Sequence, residues 1–175
     1  MKILIIGANG MLGHALSEVF VSENPVLLDK DDLDITDPRQ VEKKLLDLRP
    51  TLILNAAGFT DVDGAASHRA EALAVNAKAV GYLAAAAKKL AAILVHHSTE
   101  YVFDGKYKNG YPEKSKPNPL NVYGQSKAKG EELLQKHGEM FYLIRSSWLY
   151  GPGRQRGKPR GLNFVETIAS TWDKM

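Results

Sequence analysis

The sequence predicts an α/β fold: a doubly wound parallel sheet with helices on both faces. Three observations carry this. Ile3 to Ile6 is aliphatic at every position, the pattern of a strand buried on both faces. Gly7, Gly10 and Gly13 follow at once and lead into a helical pattern. Further short apolar runs then alternate with helix-period stretches, the βαβα order that layers helices over both sides of a parallel sheet. The glycine turn makes the fold Rossmann-like, because backbone N–H groups and the positive end of a helix dipole can meet a phosphate there. The spacing G-x-x-G-x-x-G differs from the G-x-G-x-x-G of many dinucleotide binders, and the competing reading is a tight turn without a ligand.

The elements follow in order. Met11 to Ser22 reads as a helix with Leu12, Leu16, Val19 and Phe20 on one stripe, and Pro25 closes that region. Val26 to Leu28 is the second strand, ended by Asp29. An acidic residue about 20 positions beyond the glycines is placed to bind the adenosine ribose. Lys30 beside it could instead receive a 2′-phosphate, so NAD and NADP stay undivided; a solvated loop is the plain alternative for both. Thr36 or Asp37 can cap the next helix, with Pro38 in its first turn, Val41, Leu45 and Leu48 buried, and Pro50 as the stop. Thr51 to Leu54 is the third strand, and Asn55-Ala56-Ala57-Gly58 at its end is small enough for a flat ligand to lie on backbone.

Ala65 to Leu90 is alanine-rich and reads as helix, with Asn76 in its middle as a packing or surface polar residue at least as readily as a functional one. Ala92 to His96 is the fourth strand. His96 and His97 are adjacent, so they point to opposite faces and do not chelate together; no metal site is expected. Val102 to Pro119 is loop, Leu120 to Lys136 a long helix, Phe141 to Ile144 the fifth strand and Leu162 to Trp172 a last helix. Arg154, Arg156, Lys158 and Arg160 crowd a glycine-rich loop with no interleaved aromatic residue, which reads as a solvated loop before it reads as a phosphate or nucleic-acid site.

Composition narrows the function. The 175 residues suffice for one domain with a core, so residues 1–175 are expected to form a single unit. The net charge of +3 gives no case for nucleic acid as a partner. There is no cysteine, which excludes disulfides, thiol catalysis and thiolate metal sites and is compatible with the cytoplasm. The first apolar run is too short for a membrane span or a signal peptide, so no membrane association is expected.

Tyr123 and Lys127 are four apart on a helix and share a face. A tyrosine near pKa 10 is too weak a base at neutral pH, and a neighbouring ammonium is expected to lower that value. The pair could then exchange a proton with a substrate hydroxyl or carbonyl, with Thr99 or Ser98 orienting the same oxygen. A nucleotide cofactor would supply the hydride.

GANGMLG at 7–13, LDITD at 33–37, NAAGFTDVD at 55–63, STEYVFDG at 98–105, YGQSK at 123–127 and RSSWLYGP at 145–152 together resemble the extended short-chain dehydrogenase/reductase superfamily and, within it, the dTDP-4-dehydrorhamnose reductase branch. The resemblance covers essentially the whole chain. It implies NADPH or NADH held by Gly7, Asn9, Gly10, Met11, Leu12 and Gly13 at the pyrophosphate, by Asp29, Lys30, Asp34 and Ile35 at the adenosine end, and by Ala56, Ala57, Gly58, Thr60, Tyr123 and Lys127 along the rest. Thr99, Tyr123 and Lys127 would be the catalytic set, with Tyr123 as proton donor, and Thr99, Tyr101 and Trp148 would meet a dTDP-sugar. The implied reaction reduces the 4-keto group of dTDP-4-dehydro-L-rhamnose to give dTDP-L-rhamnose, a polysaccharide precursor, in a cytoplasmic enzyme able to form homo-oligomers.

The sequence also departs from that pattern. Glu100 stands where the branch usually has Asp, Gly64 and Ala66 replace Lys and Glu, and residues 153–162 look inserted. Family members continue for on the order of 100 further residues, so a C-terminal substrate region is expected to be missing. The alternative reading is a non-catalytic nucleotide-binding or regulatory module, like the related regulatory subunits of methionine adenosyltransferase.

Overall fold

The computed structural model describes residues 1–151 and 161–172; the Arg154, Arg156, Lys158 and Arg160 cluster and most of the apparent insertion lie outside them. Five strands form one parallel sheet: β1 (Ile3–Ile6), β2 (Val26–Leu28), β3 (Leu52–Asn55), β4 (Ile93–Thr99) and β5 (Phe141–Ser146), ordered β2-β1-β3-β4-β5. The helices are α1 (Met11–Val19), α2 (Pro38–Leu48), α3 (Arg69–Leu73), α4 (Ala79–Lys89), α5 (Val122–His137) and α6 (Phe164–Trp172).

Register decides which residues face which layer. Leu4, Ile6, Ile53 and Leu94 point to one side and pack with Val41 and Leu45 of α2, Leu83 and the alanines of α4, and Leu134 of α5. Ile3, Ile5 and Leu54 point to the other side, against Leu16 and Phe20 at α1. Helices therefore cover both faces, as expected. The order reverses between β1 and β3: α1 leads to β2 on one flank, and α4 leads from β3 to β4 on the other. Ligands of such sheets lie outside the strand C-termini at this switch point. Tyr142 and Ile144 of β5, and Val165, Ile168 and Trp172 of α6, are exposed. No helix among the described residues is long and apolar enough to cross a membrane.

Several boundaries move for local reasons. α1 ends at Val19; a 3-10 turn, Val21–Glu23, follows and Asn24 closes it in the left-handed region at φ 48° before Pro25. Asp37, rather than Thr36, caps α2: its Oδ1 accepts the Arg39 and Gln40 N–H groups at 2.8 and 3.3 Å. The expected single helix over 65–90 is broken. It comprises a 3-10 turn at Gly64–Ala66, α3, a π-helical turn at Ala74–Lys78 and α4. β4 and β5 extend two or three residues further than the apolar runs suggest, because Ser98 and Thr99 keep pairing with Arg145 and Ser146.

Candidate active site

A cleft of about 1100 Å³ opens at the C-terminal ends of β1, β3 and β4. Its first wall is the glycine turn. Gly7 adopts φ +78°, and a Cβ there would lie 2.7 Å from the Ala57 nitrogen, so glycine lets β1 and the β3 exit come together. Gly10 is the N-cap of α1; no side chain caps it and no acidic residue occupies its first turn. The first-turn N–H groups lack intrahelical partners, so with Gly10, Met11 and Leu12 lining the cleft this end suits a diphosphate.

Gly13 and Asn9, by contrast, do not line this cleft. Gly13 is buried beneath the turn, where a Cβ would meet the Gly7 carbonyl oxygen at 2.0 Å, so it serves helix–strand packing. Asn9 lines a smaller pocket beside His14 and Asp32, and its N–H donates to Asp29 Oδ2 at 2.8 Å. That bond fixes the Asp29 carboxylate against the glycine turn. Asp29, Lys30, Asp34 and Ile35, with Thr36 beside them, line the cleft beyond the glycine turn.

The floor is Ala56, Ala57, Gly58 and Thr60, with Phe59 between them, which sequence reasoning missed. Two buried polar side chains hold it. Asn55 Oδ1 accepts the Ala57 N–H at 3.2 Å, so its Nδ2 donates to His96 Nδ1 at 3.1 Å. Asn76 accepts the Phe59 N–H at 2.9 Å and returns Nδ2 to the Phe59 carbonyl and to Ser126 Oγ, both at 3.0 Å. Asn76 is therefore a packing residue of the floor, buried to 1%.

The far wall carries the expected reacting groups. Thr99, Glu100, Tyr101, Tyr123, Lys127 and Trp148 all line the cleft. Asn121 caps α5 through the Gly124 N–H at 2.7 Å, and the helix then delivers Tyr123 and Lys127 on one face. The Tyr101 ring meets Tyr123 edge-on, with centroids 5.6 Å apart. Lys127 Nζ donates to the His97 carbonyl at 2.6 Å. Thr99 Oγ1 donates to Glu100 Oε2 at 2.8 Å and accepts the Tyr101 N–H at 3.2 Å. Ser98 does not share its role: its hydroxyl points to the other side, donating to Glu131 Oε1 at 2.6 Å. Trp148 stands at the rim with φ +50°, a strained backbone for a bulky residue.

The expected lowering of the Tyr123 pKa is overturned. Burial, then the Glu100 carboxylate, push it up to about 12, with the Thr99 side chain offsetting a part. The Lys127 ammonium is turned toward the His97 carbonyl instead. Burial brings Lys127 itself down to about 8, against the opposing pull of Glu131. Tyr123 is thus a phenol across the neutral range, the form that donates a proton.

His96 and His97 lie on opposite faces, as their register requires. Burial, and then the Lys127 charge, hold the His96 pKa well below 6.5. As pH falls through 6.5 the unfolded chain binds a proton that the folded chain refuses, so stability falls by about 1.4 kcal/mol per pH unit down to the folded value. A urea-midpoint series from pH 7.5 to 5 should show that decline, and His96→Gln should flatten it.

The geometry has relatives. A family model described as the RmlD substrate binding domain matches residues 1–174. The chain belongs to that family. The dTDP-4-dehydrorhamnose reductase of Burkholderia thailandensis is 38% identical over 169 residues, covering 96% of this chain and 54% of the relative. That of Aggregatibacter actinomycetemcomitans is 40% identical over 171 residues, covering 95% and 55%. The crystal structure of the Bacillus anthracis dTDP-4-dehydrorhamnose reductase in complex with NADP superposes with a TM-score of 0.90 at 37% identity, covering 100% of this chain and 61% of that one. The chain spans about half the length of the curated relatives it matches.

Proposed function

We propose that this chain forms the cofactor-binding and proton-donating unit for NAD(P)H-dependent reduction of the 4-keto group of dTDP-4-dehydro-L-rhamnose to dTDP-L-rhamnose. The observation that carries this is one cleft holding both an uncapped, acid-free helix N-terminus at Gly10 and the buried Tyr123–Lys127 pair. Similarity to the named reductases supports the substrate class.

A bound nicotinamide would supply the hydride to the sugar C4. The chain's own residues do the rest. The Gly10 end of α1 would hold the diphosphate, and Asp29 would accept from the adenosine ribose. Ala56, Ala57 and Gly58 give a flat backbone floor. Lys127, a cation below about pH 8, holds its amine on the His97 carbonyl in the same cleft as Tyr123. The Tyr123 hydroxyl passes its proton to the carbonyl oxygen as that oxygen gains negative charge, and Thr99 orients the same oxygen by turning its hydroxyl from Glu100 to it. Tyr101 and Trp148 flank the sugar. A cytoplasmic location and self-association belong to this reading.

Asp29→Ala should weaken NADH binding roughly tenfold, the scale of a lost charge-assisted hydrogen bond. NADPH, whose 2′-oxygen carries phosphate, should lose less. Equal losses for both, by fluorescence titration, would remove Asp29 from ribose recognition.

The decisive experiment pairs NADPH titration with NADPH oxidation in the presence of dTDP-4-dehydro-L-rhamnose. Binding with turnover is the expected result. Binding without turnover moves the chain to a non-catalytic nucleotide-binding module, and no binding ends the cofactor reading.

A further inference from the structure

Glu131 is 1% exposed, and none of the chemistry above uses it. A carboxylate at that depth must be fully paired. Oε1 accepts from Ser98 Oγ at 2.6 Å and from Arg145 Nε at 2.9 Å, while Oε2 accepts from Arg145 Nη2 at 2.6 Å. Arg145 continues outward: Nη1 donates to the Glu113 carbonyl at 3.0 Å, and its guanidinium lies 5.0 Å from the Phe103 ring centre.

The inner contacts adjoin the reacting groups. Ser98 stands between His97, whose carbonyl holds Lys127 Nζ, and Thr99. Lys127 is one α5 turn before Glu131. One carboxylate thus ties α5, the end of β4, β5 and the 103–119 loop together behind the cleft.

We propose that Glu131 is a positioning residue that keeps the Lys127 amine protonated and anchored at the end of β4 and holds Thr99 in line beside it. Its importance for catalysis rests on the function proposed above; its effect on Lys127 does not. The surroundings of Lys127 make the charge argument. His96 and His97 of β4 are held neutral at ordinary pH, with pKa values pushed below 6.5. Tyr123 on α5 is an uncharged phenol, Glu100 acts on Tyr123 from the same wall of the cleft, and Arg145 of β5 is engaged by Glu131 itself. Glu131 is the anion that acts directly on the buried amine and opposes its neutralisation.

The test titrates the Lys127 amine directly, by side-chain ¹⁵N NMR of the full chain assigned with Lys127→Met. Wild type, Glu131→Gln and Glu131→Gln/Arg145→Met are compared. The double variant removes both charges at similar volume, so it folds even if a lone buried Arg145 does not tolerate the single change. The expected result is a fall of about 1 pH unit in the Lys127 midpoint in Glu131→Gln, the scale for losing a close opposite charge, and a smaller fall in the double variant, which also loses a cation. The midpoint of NADPH-affinity loss at alkaline pH should fall with it. Ser98→Ala, which keeps the carboxylate, should leave the lysine midpoint near wild type. An unchanged midpoint in the double variant overturns the proposal and leaves Glu131 a structural strut. Failure of wild type to bind NADPH at any pH would sink the cofactor reading while the lysine titration still decides this one.

Discussion

Tyr123→Phe should reduce turnover with the keto-sugar by about 10²–10⁴-fold, the usual contribution of a positioned proton donor, and leave NADPH affinity close to wild type. The separation is sharp because the substitution removes one oxygen. The ring keeps its edge-on packing against Tyr101. The helix turn is held elsewhere, by the Asn121 cap and by Ser126 Oγ donating to the Tyr123 carbonyl at 2.7 Å. The direction of proton flow is set by the site. With its pKa pushed up to about 12, the Tyr123 phenol gives up a proton only to an oxygen that is becoming an alkoxide, which a ketone does as hydride arrives. The alkaline limit should come from Lys127, whose amine loses its charge around pH 8, and not from Tyr123. Parallel rate and titration measurements check both points; unchanged turnover in the phenylalanine variant would remove Tyr123 from the chemistry.

What the sequence made legible has a physical pattern. The β1–glycine–α1 unit was readable because a strand buried on both faces must be continuously apolar, and because Gly7 meets backbone that no side chain could clear. Tyr123 and Lys127 were readable because a helix places i and i+4 on one face. The groups that tune them were not. Glu131 falls where helical spacing allows a solvated residue, and only β5 and β4, 14 and 33 positions away, reveal that it pairs with Arg145 and Ser98. The Tyr123 pKa was misread for the same reason: one helix suggests a tyrosine beside a lysine, while the tertiary fold buries the phenol and sets Glu100 near it. The π-helical turn was hidden because alanine continues through it. Within it Asn76 turns inward to grip Phe59, a contact 17 positions away.

That turn leads to the largest expected effect on folding. Gly130→Ala should destabilise the chain by about 1–3 kcal/mol or more, the cost of overpacking a filled interface. A Cβ at Gly130 would lie 2.1 Å from the Asn76 carbonyl oxygen. Both partners are backbone, so no side-chain rotation relieves the clash; α5 and the π-helical turn must separate. The damage should not stop at stability. Moving Asn76 loosens its two bonds to Phe59 and its bond to Ser126, which lies on α5 between Tyr123 and Lys127. The cleft floor and α5 therefore shift together, and NADPH affinity should fall along with the urea midpoint. Gly151→Ala, where an added Cβ meets no atom of the described residues within 4 Å and φ is not positive, supplies the contrast and should change neither. If Gly130→Ala lowered the midpoint and left NADPH affinity intact, the floor would have to be held by Asn55 and His96 without help from the π-helical turn.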